Sequence, residues 1–264
     1  MTKDNIDVIR DQFTRQAGTF SQSPPMQDEE AIRLLIKASG VKPDARMLDV
    51  ACGPGMVACG FAASGVHAVG IDVTPAMIER AKQLAKKKGL QNVEWHVGAV
   101  TSLPFEDNSF DVVTCRFAFH HFPIPADAFA EMKRVCRPGG RIVVCDGYAS
   151  DDPAKAAAFN AMERLRDPST IRFLTLGELE SFFQRENLQP AQHFYRVTYD
   201  VNTLMQGSFP DPGDEILVRD MIVRSVDGDA LGLNARRDGG QVWFDYSAVI
   251  LAAQKLAGGQ VIPG

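Results

Sequence analysis

A glycine-containing turn carries the strongest chemical signal in the sequence. Residues 48–55 read Leu-Asp-Val-Ala-Cys-Gly-Pro-Gly and lie between a segment that predicts a strand and one that predicts a helix. Gly53 and Gly55 permit a tight turn, and they let a ligand approach the backbone without meeting a Cβ atom. The arrangement indicates a site for a nucleotide-like ligand.

An acidic residue at the end of the second predicted strand supports this interpretation. Asp72 follows Gly53 by 19 positions, close to the offset of about 20 residues at which a carboxylate binds ribose hydroxyls in nucleotide-binding folds. The alternative is an N-cap for the helix that is predicted to begin near Pro75. The context of the turn favours ribose binding.

The residues of the turn distinguish between two kinds of nucleotide-like ligand. A dinucleotide-binding turn needs a third glycine, and Ala58 stands at that position. The carboxylate of Asp49 would repel a pyrophosphate, but it suits a ligand that carries an amino group. An adenosyl amino acid is therefore favoured over a dinucleotide, which argues against an NAD-dependent oxidoreductase.

Composition narrows the class of protein further. The 264 residues carry a formal net charge of -5 with a sequence pI of about 5.6, and a nucleic-acid role is disfavoured because phosphate binding needs a basic face. Five cysteines without a C-x-x-C pattern predict buried thiols rather than disulfides or a zinc site. Without a signal peptide or a long apolar run, we expect a cytoplasmic protein with no membrane span.

Hydrophobic periodicity predicts alternating strands and helices over residues 46–145. Two late strands, near 193–201 and 241–253, follow after helical segments. This order predicts an α/β fold, a Rossmann-like three-layer sandwich with a seven-stranded, mostly parallel sheet whose last strand runs antiparallel. A ligand crevice is expected at the carboxyl ends of the parallel strands.

Four segments divide the chain. We expect an N-terminal helical lid segment over 1–40 and a ligand-binding core over 41–150. Residues 151–257 are expected to form the other half of the same domain with a substrate-facing insertion. The Gly- and Pro-containing residues 258–264 predict a flexible tail.

Four motifs, taken together, resemble those of class I S-adenosylmethionine (SAM)-dependent methyltransferases. They occupy, in order, residues 49–55, 70–77, 103–113 and 137–140. Within that class the chain resembles the type 11 branch, which includes the ubiquinone/menaquinone C-methyltransferases. The resemblance covers residues 46–147 and weakens after about residue 190, where the substrate-specific part is expected.

The resemblance implies that SAM is the cofactor and assigns roles around it. Gly53 and Gly55 would pass beneath its methionine part, Asp49 would orient the turn and the ammonium group, and Asp72 would hold the ribose. Further residues expected to contact the cofactor are Ala51, Val73, Met77, Ala99, Val100, Arg116, Phe117 and Phe20. Phe20 corresponds to an aromatic lid residue, although a helix packed on the sheet edge by Phe13 is an equal alternative.

One departure from the family pattern affects the adenine. The family usually has Asp-Ala where this chain has Ala99 and Val100, so the carboxylate that accepts a hydrogen bond from the adenine amino group is missing. The backbone amide of Val100 can still bond the ring. Losing one hydrogen bond costs about 0.5–1.5 kcal/mol, so SAM binding is expected to survive.

Two histidines follow the fourth predicted strand, at the edge of the sheet where an acceptor should enter. His121 or His120 is a candidate to take a proton from a phenol, enol or acidic carbon, and the alternative is that they only orient the loop. Arginines 164 and 166 are interpreted as part of a solvated charged face rather than an acidic-substrate site. Phe173 is a candidate to roof an apolar substrate pocket, but its spacing favours a core position.

The sequence therefore predicts SAM-dependent methyl transfer to a small or medium organic acceptor, at O, C or N, without a metal. Family analogy favours a quinone-like or phenolic ring. The alternative is a non-methylating protein of this fold that binds an adenosyl ligand structurally or for another reaction. A monomer or homodimer is expected.

Overall fold

The computed structural model describes residues 3–18 and 28–256 of the chain. Strands and helices alternate through the first two-thirds, as the periodicity predicts. The strands of the described residues are β1 (Arg46–Val50), β2 (His67–Asp72), β3 (Val93–Val97), β4 (Phe110–Arg116), β5 (Cys136–Gly147), β6 (Ala191–Asp200), β7 (Arg236–Asp238) and β8 (Gln241–Gln254). The helices are α1 (Lys3–Gln16), α2 (Glu29–Ser39), α3 (Met56–Ala63), α4 (Pro75–Lys87), α5 (Pro125–Val135), α6 (Pro153–Arg166), α7 (Leu176–Arg185), α8 (Val201–Gln206) and α9 (Asp214–Arg224).

All the strands join one sheet in the order β3-β2-β1-β4-β5-β8-β6, with β7 beside the first residues of β8. Strands β1 to β5 pair in parallel, and β8 is antiparallel to both β5 and β6. The mostly parallel sheet and the antiparallel last strand are therefore confirmed. Because β1 and β4 are neighbours, the strand order reverses there, which places the crevice of this fold class at their carboxyl ends.

Both faces of the sheet are covered, because neighbouring residues of each strand point to opposite sides. Val113 packs into an apolar cluster with α5 and α7, whereas the adjacent Val112 packs into a second cluster with α2 and α3. A third cluster joins α6, α8 and α9 to the first half of β8. No described helix has the length and apolar character needed to cross a bilayer.

The structure differs from the expected seven strands by one short addition. Strand β7 forms a hairpin with β8 through Gly239 and Gly240, both of which have positive φ angles. Its residues, 236–238, are Arg-Arg-Asp and are exposed. Periodicity could not predict this strand because it buries no apolar face.

A second difference follows β6. The predicted strand extends to Val201, but a short helix, α8, begins at that residue. The side chain of Asp200 accepts hydrogen bonds from the backbone N–H groups of Asn202 and Thr203, as an N-cap does. The apolar residues of α8 then pack into the third cluster instead of continuing the sheet.

Candidate functional site

The turn between β1 and α3 has an unusual backbone. Ala51, Gly53 and Gly55 all have positive φ angles, of 53°, 51° and 82°. A Cβ atom on Gly55 would lie 2.5 Å from the Trp95 ring, whereas one on Gly53 would meet nothing within 4 Å. Gly55 therefore serves close packing, and Gly53 faces open space. Strain at the non-glycine Ala51 is of the kind that folds retain at functional sites.

Asp72 ties this turn to the end of β2. Its carboxylate accepts hydrogen bonds from the backbone N–H groups of Gly53 at 2.9 Å and Thr74 at 2.8 Å. The N-cap of α4 is Thr74, so the alternative role of Asp72 as the helix N-cap is wrong. Each carboxylate oxygen retains a lone pair beyond these bonds, which leaves it able to accept from a ligand hydroxyl.

Asp49 is a buried carboxyl group with an incomplete set of partners. One oxygen accepts a hydrogen bond from the Thr114 hydroxyl at 2.9 Å, and the other has no partner among the described residues. Burial raises the pKa of Asp49 to about 7, and the bond from Thr114 opposes that rise. The arrangement suits a ligand with a cationic group, which would stabilise the ionised form.

These residues surround a cleft of about 890 Å³ at the carboxyl ends of β1, β2 and β4. The structure brings ten of the predicted residues together there: Asp49, Ala51, Gly53, Asp72, Val73, Ala99, Val100, Arg116, Phe117 and His121. Gly55 and Met77 are predicted contacts that do not line the cleft, because Gly55 packs on Trp95 and Met77 is buried in α4. Phe20 lies outside the described residues.

The first helix supplies residues that were not expected at the ligand. Ile9 and Phe13 of α1 line the cleft, and Arg10 fixes the helix by donating a hydrogen bond to the carbonyl oxygen of Val73 at 3.0 Å. Phe13 belongs to the segment that was expected to form a lid, with packing on the sheet edge as the equal alternative. Its helical spacing carries no signal that distinguishes a lining residue from a core residue.

A second cavity of about 650 Å³ adjoins the cleft, with Phe13, Phe117 and His121 common to both. Its other walls come mainly from α6, α8, β6 and β8, and they combine the aromatic Tyr199 and Tyr246 with aliphatic and charged side chains. Phe173 also lines this cavity, as well as packing in the third apolar cluster, so its expected core position is only part of its role. Phe117 has a φ of 53° at the junction of the two spaces.

The two histidines have different surroundings. Nδ1 of His120 lies 2.8 Å from the Asp146 carboxylate, and its ring stacks on Phe173 with ring centroids 4.2 Å apart. Nδ1 of His121 lies 3.1 Å from the carbonyl oxygen of Ser169, and burial lowers the pKa of His121 to about 4. His120 therefore lines the second cavity with a carboxylate behind it, while His121 stays neutral between the two spaces.

The charged segment at the end of α6 is not the solvated face that was expected. Arg164 is exposed, but Arg166 turns inward and forms an ion pair with Glu163 at 2.8 Å. Both residues line the second cavity. The interpretation of Arg166 is therefore wrong, because the sequence shows a charge run without showing which way each side chain points.

Comparison with known proteins gives the family. A family model described as a methyltransferase domain matches residues 48–144. The uncharacterized methyltransferase YcgJ of Bacillus subtilis is 30% identical over 92% of this chain and 97% of its own length. The chain belongs to the SAM-dependent methyltransferases. The expected family, activity and cofactor are therefore confirmed, and an NAD-dependent oxidoreductase is excluded.

Solved structures agree with this assignment. The crystal structure of YcgJ superposes with a TM-score of 0.80 at 29% identity, covering 87% of this chain and 99% of that one. A putative methyltransferase from Bacillus halodurans gives 0.79 at 26% identity, covering 86% and 100%. Over a shorter stretch, the ubiquinone/menaquinone biosynthesis C-methyltransferase UbiE of Dinoroseobacter shibae is 39% identical, covering 44% of this chain and 47% of its own.

The residues of the cleft fit SAM. The unpaired oxygen of buried Asp49 suits the ammonium group, the open side of Gly53 leaves room for the methionine part, and Asp72 suits the ribose. At the end of the cleft that is expected to hold the adenine, the side chains are those of Val73, Ala99 and Val100, which are apolar. The carboxylate that the family usually has at the position of Ala99 is absent.

Proposed function

We propose that this methyltransferase acts on an uncharged ring compound of the quinol or phenol class, which binds in the second cavity. The observation that carries the proposal is that this cavity adjoins the cofactor cleft and shares Phe13, Phe117 and His121 with it. Methyl transfer needs the acceptor atom beside the donor and in line with it. An acceptor in this cavity would lie beside a donor bound in the cleft.

The walls of the cavity favour a planar ring. Phe173, Tyr199 and Tyr246 surround it with aromatic faces, and such faces pack on rings in offset or edge-on geometry. A largely apolar lining with a few polar groups is the usual character of a small-molecule site. The printed names of relatives include demethylmenaquinone methyltransferase and UbiE, which supports a quinone-like acceptor.

His120 is the proposed base. When bound, SAM supplies an electrophilic methyl group, and an acceptor that has lost a proton is the stronger nucleophile. The hydrogen bond to Asp146 occupies Nδ1 of His120 and leaves Nε2 to take that proton. Asp146 is buried and also accepts from the backbone N–H of Phe119 at 2.7 Å, so it holds the ring and stabilises the imidazolium.

His121 is assigned a different role in this proposal. Its pKa of about 4 makes it a poor proton acceptor near neutral pH, since burial disfavours the charged ring. It packs edge-on against Phe13 with ring centroids 5.1 Å apart. We therefore assign it to shaping the junction between cofactor and acceptor.

Replacing His120 tests the proposal, with SAM as donor and reduced 1,4-dihydroxynaphthalene as acceptor. His120→Ala is expected to lower kcat by about 100-fold or more, with an unchanged Kd for SAM because His120 does not line the cleft. Asp146→Asn is expected to lower kcat in the same direction. The matched control is His193→Ala, on the exposed side of β6, which should keep wild-type kcat.

A further variant distinguishes the roles of the two histidines. His121→Ala should change kcat by less than about 10-fold, the low end of what a proton-transfer residue contributes. If His121→Ala loses activity while His120→Ala retains it, the base assignment is wrong. If the wild-type enzyme methylates no phenol or quinol, the proposed acceptor class is wrong.

A further inference from the structure

A buried polar cluster lies in the wall of the second cavity, apart from the cofactor cleft. Glu163 has a fully buried side chain, and Arg166 is 15% exposed. Nε of Arg166 lies 3.0 and 3.1 Å from the two Glu163 oxygens, and Nη2 lies 2.8 Å from one of them. The Tyr246 hydroxyl donates to the same carboxylate. The hydrogen bonds to Glu163 thus fix the orientation of the guanidinium plane and occupy one edge of it.

Arg166 keeps hydrogen-bonding capacity that the protein does not use. Its only other hydrogen bond to the described residues goes from Nη1 to the Ser208 hydroxyl, at a long 3.3 Å. A guanidinium has five N–H groups, so two of them have no partner within residues 3–18 and 28–256. Because Arg166 lines the cavity, a bound molecule can reach this side chain.

The surrounding charges determine what kind of group suits those donors. Glu163 already offsets the charge of Arg166, and Asp167 adds a second buried carboxylate, which accepts hydrogen bonds from Ser169 and Gln16. Although burial opposes its charge, Glu163 keeps the pKa of Arg166 well above its usual value. The cavity wall therefore offers N–H donors without a net positive charge, which favours a neutral oxygen over an anionic group.

From this arrangement we infer that Arg166 determines acceptor specificity by donating hydrogen bonds to an uncharged carbonyl or hydroxyl oxygen of the acceptor. The contacted oxygen lies away from the methyl-transfer point, since Arg166 lines the cavity and not the cleft. Glu163 and Tyr246 are positioning residues that fix the guanidinium. This inference rests on the proposed function for the location of the acceptor.

Three probes distinguish the chemistry that Arg166 recognises. They share a naphthalene ring with one hydroxyl: 1,4-dihydroxynaphthalene has a second, uncharged oxygen, 1-naphthol lacks it, and 4-hydroxy-1-naphthoic acid has a carboxylate in its place. Each Kd is measured by calorimetric titration with S-adenosylhomocysteine present and the diol kept reduced. Wild type is expected to bind the diol at least about 10-fold more tightly than either of the others.

Two variants remove the hydrogen bonds from Arg166 to the acceptor oxygen without leaving a buried charge unpaired. Arg166→Met alone would leave Glu163 buried and unpaired, so it is combined with Glu163→Gln, whose carbonyl still accepts from Tyr246. Arg166→Lys keeps a cation beside Glu163 but loses the planar fork. Both are expected to bring the preference for the diol below about 3-fold, with the Kd for SAM unchanged. Arg164→Met, on the exposed side of the same helix, is the matched control and should keep the wild-type preference.

The outcomes separate this inference from the proposed function. If wild type and both variants show the same preference, or if wild type binds the naphthoate most tightly, Arg166 does not recognise an uncharged oxygen and the inference is wrong. If the preference appears and depends on Arg166 but no probe is methylated, the inference holds and the proposed acceptor chemistry fails. If wild type binds none of the three probes, both are wrong.

Discussion

Replacing Asp49 with asparagine should change how the stability of the ligand-free protein depends on pH. Asp49 is buried, and only one of its carboxylate oxygens has a hydrogen-bond partner among the described residues. Its pKa is about 7 in the folded protein, against an ordinary value of 3.8. The folded protein therefore keeps a proton on Asp49 over a pH range in which the unfolded chain has released it.

The sign and size of the effect follow from this difference. A raised pKa gives stability that is fully present below pH 4 and is lost as the pH rises towards 7. Each pH unit well below the pKa corresponds to about 1.4 kcal/mol, and the slope falls to half at the pKa, so the stability lost between pH 5 and 7 is about 2 kcal/mol. Asp49→Asn has no such loss, and its free energy of unfolding relative to wild type should rise by that amount.

Urea unfolding at pH 5, 6, 7 and 8 measures this difference. Comparing variant with wild type removes the contribution of His121, whose lowered pKa acts in the opposite direction by destabilising the folded protein as the pH falls. Asp151→Asn, at an exposed position, is the control and should give no such rise. A variant-minus-wild-type difference that is constant from pH 5 to 8 would refute the assignment of Asp49 as a buried, proton-holding carboxyl.

Four further substitutions probe the cofactor cleft and the glycine turn beside it. Gly53→Ala should cost about 1–2 kcal/mol of stability from its positive φ, whereas Gly55→Ala should cost more, because its Cβ would also meet Trp95; equal melting temperatures would contradict this. Ala99→Asp should tighten SAM binding by about 2–10-fold in a calorimetric titration, and weaker binding would show that Ala99 does not face the adenine. Asp72→Asn should weaken SAM binding by about 10–100-fold, and an unchanged Kd would refute ribose binding.

The cofactor half of the site was predictable because its signals are local in sequence. The glycine turn and Asp72 stand at fixed positions relative to two strands, and parallel pairing brings β1 and β2 side by side. Sequence reasoning therefore placed ten cleft residues correctly as neighbours. The sequence does not distinguish Gly55, which packs on Trp95 and does not line the cleft, from Gly53, which faces open space.

The proposed acceptor cavity was not predictable, because it depends on contacts between distant segments. Tyr246 reaches Glu163 across 83 positions, and Phe13 of α1 meets His121 of the loop after β4. Neither pair has a spacing that indicates contact. Arg166 points inward because it pairs with the buried Glu163. A run of charged residues is typical of a surface, so the sequence does not show that part of this run lines a cavity.

The most direct test of the account is transfer of a labelled methyl group. The purified protein is incubated with methyl-labelled SAM and reduced 1,4-dihydroxynaphthalene, and the products are analysed by mass spectrometry. We expect a singly methylated ring product from wild type and from His193→Ala. The rate of product formation should fall by about 100-fold or more in His120→Ala. Labelled product formed equally well without His120, or no labelled product from any hydroxylated ring acceptor, would contradict the account.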